Sequence, residues 1–308
     1  MVRLAILGFG LIGGSIARAL LERDPGAWQI TVWSRSDAAP LRALDDGVVA
    51  AVADDPVQAA AAADLTLLAA SPSANVALVG RVGPAVAAKG GLLTDVTGVQ
   101  LPMAVAAAAV PGLRFVGGHP MSGRQTRGYG AASAGLFVDR PWAVLRGARA
   151  TDADVELVRR LARACGARPL EVDAAAHDRA VATISHLPLL SSVALVEAAA
   201  AGPEADLARR LAAQGWRDTT RLAAGDPELG AGMLALNATP TAAALRAFRA
   251  RLDAWQERLD AIAAGADPTA GADPAAAEGL MAADLAAAAE LAAPAGTATP
   301  ATVPPEPA

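Results

Sequence analysis

The chain has 308 residues, enough for two domains with their own cores, and aromatics make up only 3% of an alanine-inflated 54% hydrophobic content. A net charge of −5 offers no basic footprint for nucleic acid or anionic lipid, and Lys89 is the only lysine among otherwise arginine cations. Cys165 is the sole cysteine, which rules out an intrachain disulfide and fits a reducing compartment.

The opening MVRLAILGFG has a very short apolar stretch that runs straight into glycines, unlike a signal peptide. No run of about 18 apolar residues free of charges and turn formers is evident, so no membrane span is expected. A soluble, cytoplasmic protein is the expectation. Up to about residue 172, short β-like runs alternate with helical patterns, which predicts a parallel sheet covered by helices. The predicted strands are Arg3–Leu7, Gln29–Trp33, Leu65–Ala70, Gly91–Thr94, Arg114–Gly117, Trp142–Leu145 and Pro169–Val172. Helices are predicted between them at Ile12–Arg23, Pro56–Ala63 and Asp152–Ala164, the last with Thr151 as its cap and a Val155, Val158, Leu161 stripe.

From about residue 173 the pattern is helical throughout. Its clearest helix is Pro240–Ala263, opened by Thr239 and Pro240. There Leu245, Phe248, Leu252, Trp255, Leu259 and Ile262 are spaced as an a/d seam, which serves either a core-facing helix or a dimer interface. From residue 266 to 308 the chain is Ala/Pro/Gly/Thr-rich. It is expected to be a disordered tail with at most one short helix near 276–292.

Gly8-Phe9-Gly10-Leu11-Ile12-Gly13 follows the first strand and opens a helix, the arrangement that brings backbone amides to a pyrophosphate. These six residues are therefore candidate cofactor contacts in a Rossmann domain. The second strand ends in Trp33-Ser34-Arg35-Ser36, with no carboxylate before Asp37. A carboxylate there would grip a ribose 2′-hydroxyl, whereas an arginine flanked by two hydroxyls suits a 2′-phosphate. NADP is expected over NAD. Ser71 and Asp95, each after a strand, are expected on the nicotinamide side of the cleft.

All three histidines lie in two polar, glycine- and proline-bearing stretches: GGHPMSGRQTRG at 117–128 and HDRAVATISHLP at 177–188. Packing alone does not ask for imidazole there, so they are read as a working set. With GFGLIGGS, TDVTGVQ at 94–100 and GWRDTTRLAAGDP at 215–227 in this order, the chain resembles the prephenate/arogenate dehydrogenase family over roughly residues 2–260.

The resemblance implies an N-terminal Rossmann domain (1–172) followed by an all-helical substrate and dimerisation domain (173–265), an α/β protein overall. It implies oxidative decarboxylation of prephenate, or of arogenate, with NADP or NAD, by a homodimer built through the helical domain. No metal, nucleic acid or membrane partner is expected. By resemblance His119 is the base for the substrate hydroxyl, His186 binds or orients substrate, and Arg221 grips a carboxylate. Ser185 and Gln125 are further pocket candidates, and the His177-Asp178 pair is left between architecture and function. The family commonly reads D-V-G-S-V-K where this chain has Asp95-Val96-Thr97-Gly98-Val99-Gln100, so its serine falls on Gly98, and Thr97 is the candidate to supply the hydroxyl. The family lysine becomes Gln100, its glutamate Gln125, and a frequent polar residue or histidine becomes Leu189. Together these are expected to remove three potential charges from the substrate mouth. A different reductase of similar architecture and a non-catalytic nucleotide-binding partner are the rival readings.

Overall fold

The computed structural model describes residues 1–124, 126–265 and 274–292. Residues Met1–Leu245 form one compact unit and Arg246–Ala308 a second.

In the first unit, β1 (Val2–Leu7), α1 (Leu11–Arg23), β2 (Trp28–Trp33), α2 (Ala38–Asp45), β3 (Ala51–Val52), α3 (Pro56–Ala62), β4 (Leu65–Leu68), α4 (Pro72–Ala88), β5 (Leu92–Asp95), α5 (Leu101–Ala108) and β6 (Arg114–Pro120) alternate along the chain. They are followed by β7 (Pro141–Arg146), α6 (Asp152–Ala164) and β8 (Arg168–Glu171). The eight strands make one sheet in the order β3-β2-β1-β4-β5-β6-β7-β8. Its centre is fully buried: Leu4, Ile6, Leu65 and Leu67 face one helical layer, Leu7, Leu68 and Leu93 the other. Buried on both faces, these strands read as continuous apolar runs rather than as alternation.

The pairing departs from the predicted all-parallel sheet in one place. β7 runs antiparallel to β6, and β8 pairs parallel with β7. Among the described residues no crossover α-helix separates β6 from β7, and an antiparallel neighbour needs none. The consequence is functional: β6 extends three residues beyond the predicted Gly117, so His119 sits on a strand paired opposite Ala143. The predicted α6 is found at its expected limits, with Thr151 and Asp154 forming a reciprocal capping box. The two-residue β3 was too short to give a pattern.

Further α-helices follow residue 173: α7 (Ala174–Val181), α8 (Leu187–Ala201), α9 (Ala205–Leu211), α10 (Gln214–Thr220), α11 (Pro227–Leu236) and α12 (Ala238–Gly265). Pro188 has no N–H and its ring crowds the preceding turn, which disfavours one continuous α-helix through it. The α-helix is interrupted there: α7 and α8 join through a π-turn at Ala182–His186, just before the proline. The resulting 174–201 helix is long and apolar enough, by length and composition only, to cross a membrane, although charged residues and Pro188 interrupt it. The core helix of a soluble protein passes the same test.

α12 starts two residues before the expected Pro240, because the Asn237 carbonyl already accepts from the Thr241 amide. Along it, Leu245, Leu252 and Leu259 are exposed and Phe248, Trp255 and Ile262 half-exposed, so the a/d stripe is left largely uncovered among the described residues. The second unit also contains α13 (Pro274–Ala292), where a helix near 276–292 is expected. The rest of the expected disordered tail, 266–273 and 293–308, lies outside the described residues.

Candidate active site

The first βα turn is shaped for a dinucleotide. Gly8 has φ +98°, a left-handed conformation that side chains rarely adopt, and a Cβ there would lie 2.5 Å from the Ala70 nitrogen. At Gly13 a Cβ would meet the Gly8 carbonyl at 2.6 Å, so helix and strand could not close as they do. Gly10, by contrast, has nothing within 4 Å of where its Cβ would be, and it caps α1 without using a side chain. The α1 N-terminus therefore faces open space with free N–H groups, an anion site ready for a pyrophosphate.

Of the expected contacts, Leu11 and Ile12 begin α1 and their side chains pack on the core, leaving backbone amides for the ligand. The Phe9 ring is buried and stacks on Tyr129 at 5.2 Å, so it braces the loop from behind. Ser34 is half-exposed, and Arg35 and Ser36 are exposed just beyond the end of β2. Ser71 caps α4 at the end of β4 with an exposed side chain that makes no capping bond.

Asp95 does not line the cleft as expected. It is fully enclosed, and its carboxylate accepts from the Thr97 amide (2.9 Å), the Gly118 amide (3.0 Å) and Gln100 Nε2 (3.1 Å). Burial pushes its pKa up to about 6, against those bonds. The glycine before His119 makes this contact possible, since a Cβ at Gly118 would approach the Asp95 carbonyl to 2.6 Å. Gln100 also donates to the Thr97 and Gly118 carbonyls at 2.8 and 3.0 Å. It is buried behind the site, so the missing family lysine removes a charge from the interior, not from the mouth. Thr97 is likewise turned inward. Its hydroxyl accepts from Asn75 Nδ2 at 3.0 Å and supports Asp95, with no hydrogen bond to His119. Gly98 is what faces the base: a Cβ there would stand 3.6 Å from His119 Nε2 and 3.6 Å from Met233 Sδ.

The His119 and His177 rings are in contact, and His186 lies near enough to act on His119. His119 Nδ1 lies 2.9 Å from His177 Nε2, and His177 Nδ1 lies 2.8 Å from Asp178 Oδ1. The Asp178 carboxylate also accepts from the Gln100 and Leu101 amides, both at 2.8 Å, at the start of α5. Burial, then the neighbouring His177 and His186 rings, lower the His119 pKa to about 3, with Asp178 pulling the other way. The imidazole is therefore neutral, a base with its Nε2 edge over Gly98. Because its folded value lies below the unfolded one, its contribution to stability is full above about 6.5 and fades as pH falls toward 3. Asp95 has the opposite sign: its contribution is full below about 3.8 and is lost as pH rises through 6. An NMR titration should find the His119 ring unmoved from about pH 8 to 5; an inflection near the ordinary histidine value of about 6.5 would contradict this environment.

His186 is buried in the π-turn, and burial lowers its pKa too. Its Nδ1 accepts from Asn237 Nδ2 at 3.1 Å and lies 3.3 Å from Thr241 Oγ1, while Asn237 also donates to the Asp178 carbonyl at 2.8 Å. With Nδ1 an acceptor, the neutral ring carries its proton on Nε2 and is a hydrogen-bond donor. Sequence reasoning missed Asn75, Asn237 and Thr241; the visible signal was an asparagine closing the apolar LGAGMLAL helix. Ser185 is half-exposed beside His186. Arg221 is exposed, at the start of a 3-10 turn packed on α8 through the Ala223 amide and Ser192. Leu189 packs within reach of Gly230. Gln125 lies outside the described residues, but in the same loop Arg127 pairs with Asp226, the cap of α11, at 3.0 Å.

A dinucleotide cradle at the carboxyl ends of a doubly wound sheet, with a neutral imidazole base at the same ends, defines a nicotinamide-dependent oxidoreductase. Two family descriptions match, "prephenate dehydrogenase, nucleotide-binding domain" over residues 16–171 and "prephenate dehydrogenase, dimerization domain" over 173–265. Prephenate dehydrogenase of Lactococcus lactis is 30% identical over 82% of this chain and 70% of its own length. That of Bacillus subtilis is 29% identical over 83% and 68%. The crystal structure of Synechocystis arogenate dehydrogenase superposes with a TM-score of 0.75 at 26% identity, covering 94% of this chain and 99% of that one. The chain belongs to the prephenate dehydrogenase family of NAD(P)-dependent oxidoreductases.

Proposed function

We propose that the chain oxidises and decarboxylates prephenate to 4-hydroxyphenylpyruvate in tyrosine biosynthesis, with NADP preferred over NAD. The observation that carries this is the neutral, half-buried His119, whose Nε2 edge lies over Gly98, where a Cβ would stand 3.6 Å away. The cradle fits the cofactor: Gly10 leaves open space at an uncapped helix start. When bound, the dinucleotide supplies the acceptor for the hydride leaving C4 of the substrate. His119 Nε2 takes the C4 hydroxyl proton. As the C1–carboxylate bond breaks and CO2 leaves, its electron pair passes through the ring to that oxygen, which recovers the proton from His119 as the ring aromatises. A base so placed contributes about 10²–10⁴-fold. His186 offers an Nε2–H to an acceptor on the substrate, and Arg221 is assigned a carboxylate, for which its planar fork is shaped. Ser185 and Gln125 are assigned to the same pocket, and Thr97 and Asp95 to bracing it.

Arogenate is the second reading, favoured by the likeness to the Synechocystis enzyme; a carboxylate-gripping arginine serves both substrates. The domains are assigned as 1–172 and 173–265. The uncovered stripe of α12 and the exposed apolar surface of the 174–201 helix support a homodimer built through the helical part; its compartment is assigned as the cytoplasm.

Ser34, Arg35 and Ser36 are the reason for choosing NADP. Arg35→Ala is expected to raise KM for NADP by about 10–100-fold, the loss of charge-assisted bonds to a 2′-phosphate, with KM for NAD unchanged. Equal effects on both cofactors would overturn the preference.

A further inference from the structure

Of the groups near the site, His177 and Asp178 have no part in the reaction as described so far, yet both are buried and linked to the base. We propose that His177 and Asp178 are positioning residues that hold His119 in the tautomer with a proton on Nδ1 and a bare lone pair on Nε2. The proposal rests on the reading of His119 as the base.

The argument is one of donors and acceptors. The Asp178 carboxylate can only accept, and the Gln100 and Leu101 amides, one on each oxygen, fix its plane. His177 Nδ1, at 2.8 Å from it, must then carry the hydrogen. In the neutral form of His177 there is only one, and its Nε2 is then an acceptor. The 2.9 Å contact to His119 Nδ1 therefore needs its hydrogen from His119. The His119 lone pair is left on Nε2, the edge over Gly98.

The usual orienting hydroxyl is not available here, because position 98 is glycine and Thr97 is engaged with Asn75 and Asp95. The His177–Asp178 pair does the same work from the opposite side of the ring. It also spreads the developing positive charge: as Nε2 gains the substrate proton, the Nδ1–H bond to His177 strengthens and Asp178 stabilises the pair. The logic is that of a buried carboxylate orienting a catalytic imidazole, extended by one ring. Asn237 adds a second tie, since it bonds both the Asp178 carbonyl and His186.

The test uses the full chain labelled with ¹⁵N-histidine, whose three imidazoles make assignment simple. Long-range ¹H–¹⁵N correlation at neutral pH is expected to show His119 protonated on Nδ1 and bare on Nε2, and His177 protonated on Nδ1. His119 protonated on Nε2 overturns the proposal. In His177→Leu, kcat for prephenate is expected to fall by about 10²-fold with both KM values within about twofold, while His119 populates both tautomers. An unchanged His119 tautomer in that variant, whatever its activity, also overturns it. If the variant does not fold, the wild-type spectrum decides. The expected tautomers in a protein that leaves prephenate and arogenate untouched would sink the functional reading and leave the relay standing.

Discussion

Replacing His119 with asparagine is expected to lower kcat by about 10²–10⁴-fold and to leave the dinucleotide Kd within about twofold. Asparagine keeps a polar group at the end of β6 that can still donate to His177 Nε2, so the strand pairing and the buried network should survive. It has no basic lone pair to receive the hydroxyl proton. Because the native ring is already neutral at working pH, nothing is gained by raising pH, and the variant's loss should be the same from about pH 6 to 8. Turnover and calorimetric cofactor binding on the same preparation separate the outcomes. Oxidation at the native rate would remove His119 from the chemistry.

The second large effect is expected at the cradle. Gly13→Val places a Cβ 2.6 Å from the Gly8 carbonyl, and both positions are backbone, so neither can step aside. The helix start must shift away from the sheet, taking its amides off the pyrophosphate. Overpacking of this kind costs about 1–3 kcal/mol locally, equivalent to about 10–100-fold in dinucleotide affinity, with a lower Tm. Calorimetric titration with NADP measures it. Native affinity in this variant would mean that the α1 N-terminus does not carry the phosphates.

Much of this site was legible in the sequence because its residue types conflict with simple packing. Glycines at a strand-to-helix junction and imidazoles among glycines and prolines have few purely structural uses, and the structure brings those imidazoles together. Less legible was the direction in which side chains point. Asp95 and Thr97 follow a strand end, where a cleft is expected, but they turn inward to tie β5 to β6 through Gly118. That choice is made by strand pairing between distant segments, which no local pattern reports. The antiparallel β7 was hidden for the same reason: an isolated apolar run does not state its direction. Pro188 is a more specific case. Its ring forbids an α-helical turn but not a π-turn, so an apparent break is the place where the helix widens and buries His186. Asn237, which orients that histidine, is separated from it by 51 positions and could be found only in three dimensions.

The most direct measurement is dinucleotide reduction by the purified full-length protein, offered prephenate and arogenate separately with NADP and with NAD. NADPH appearing with prephenate, accompanied by one CO2 per turnover, is the predicted result. Reduction with neither substrate, by a folded protein that binds the dinucleotide, would contradict it.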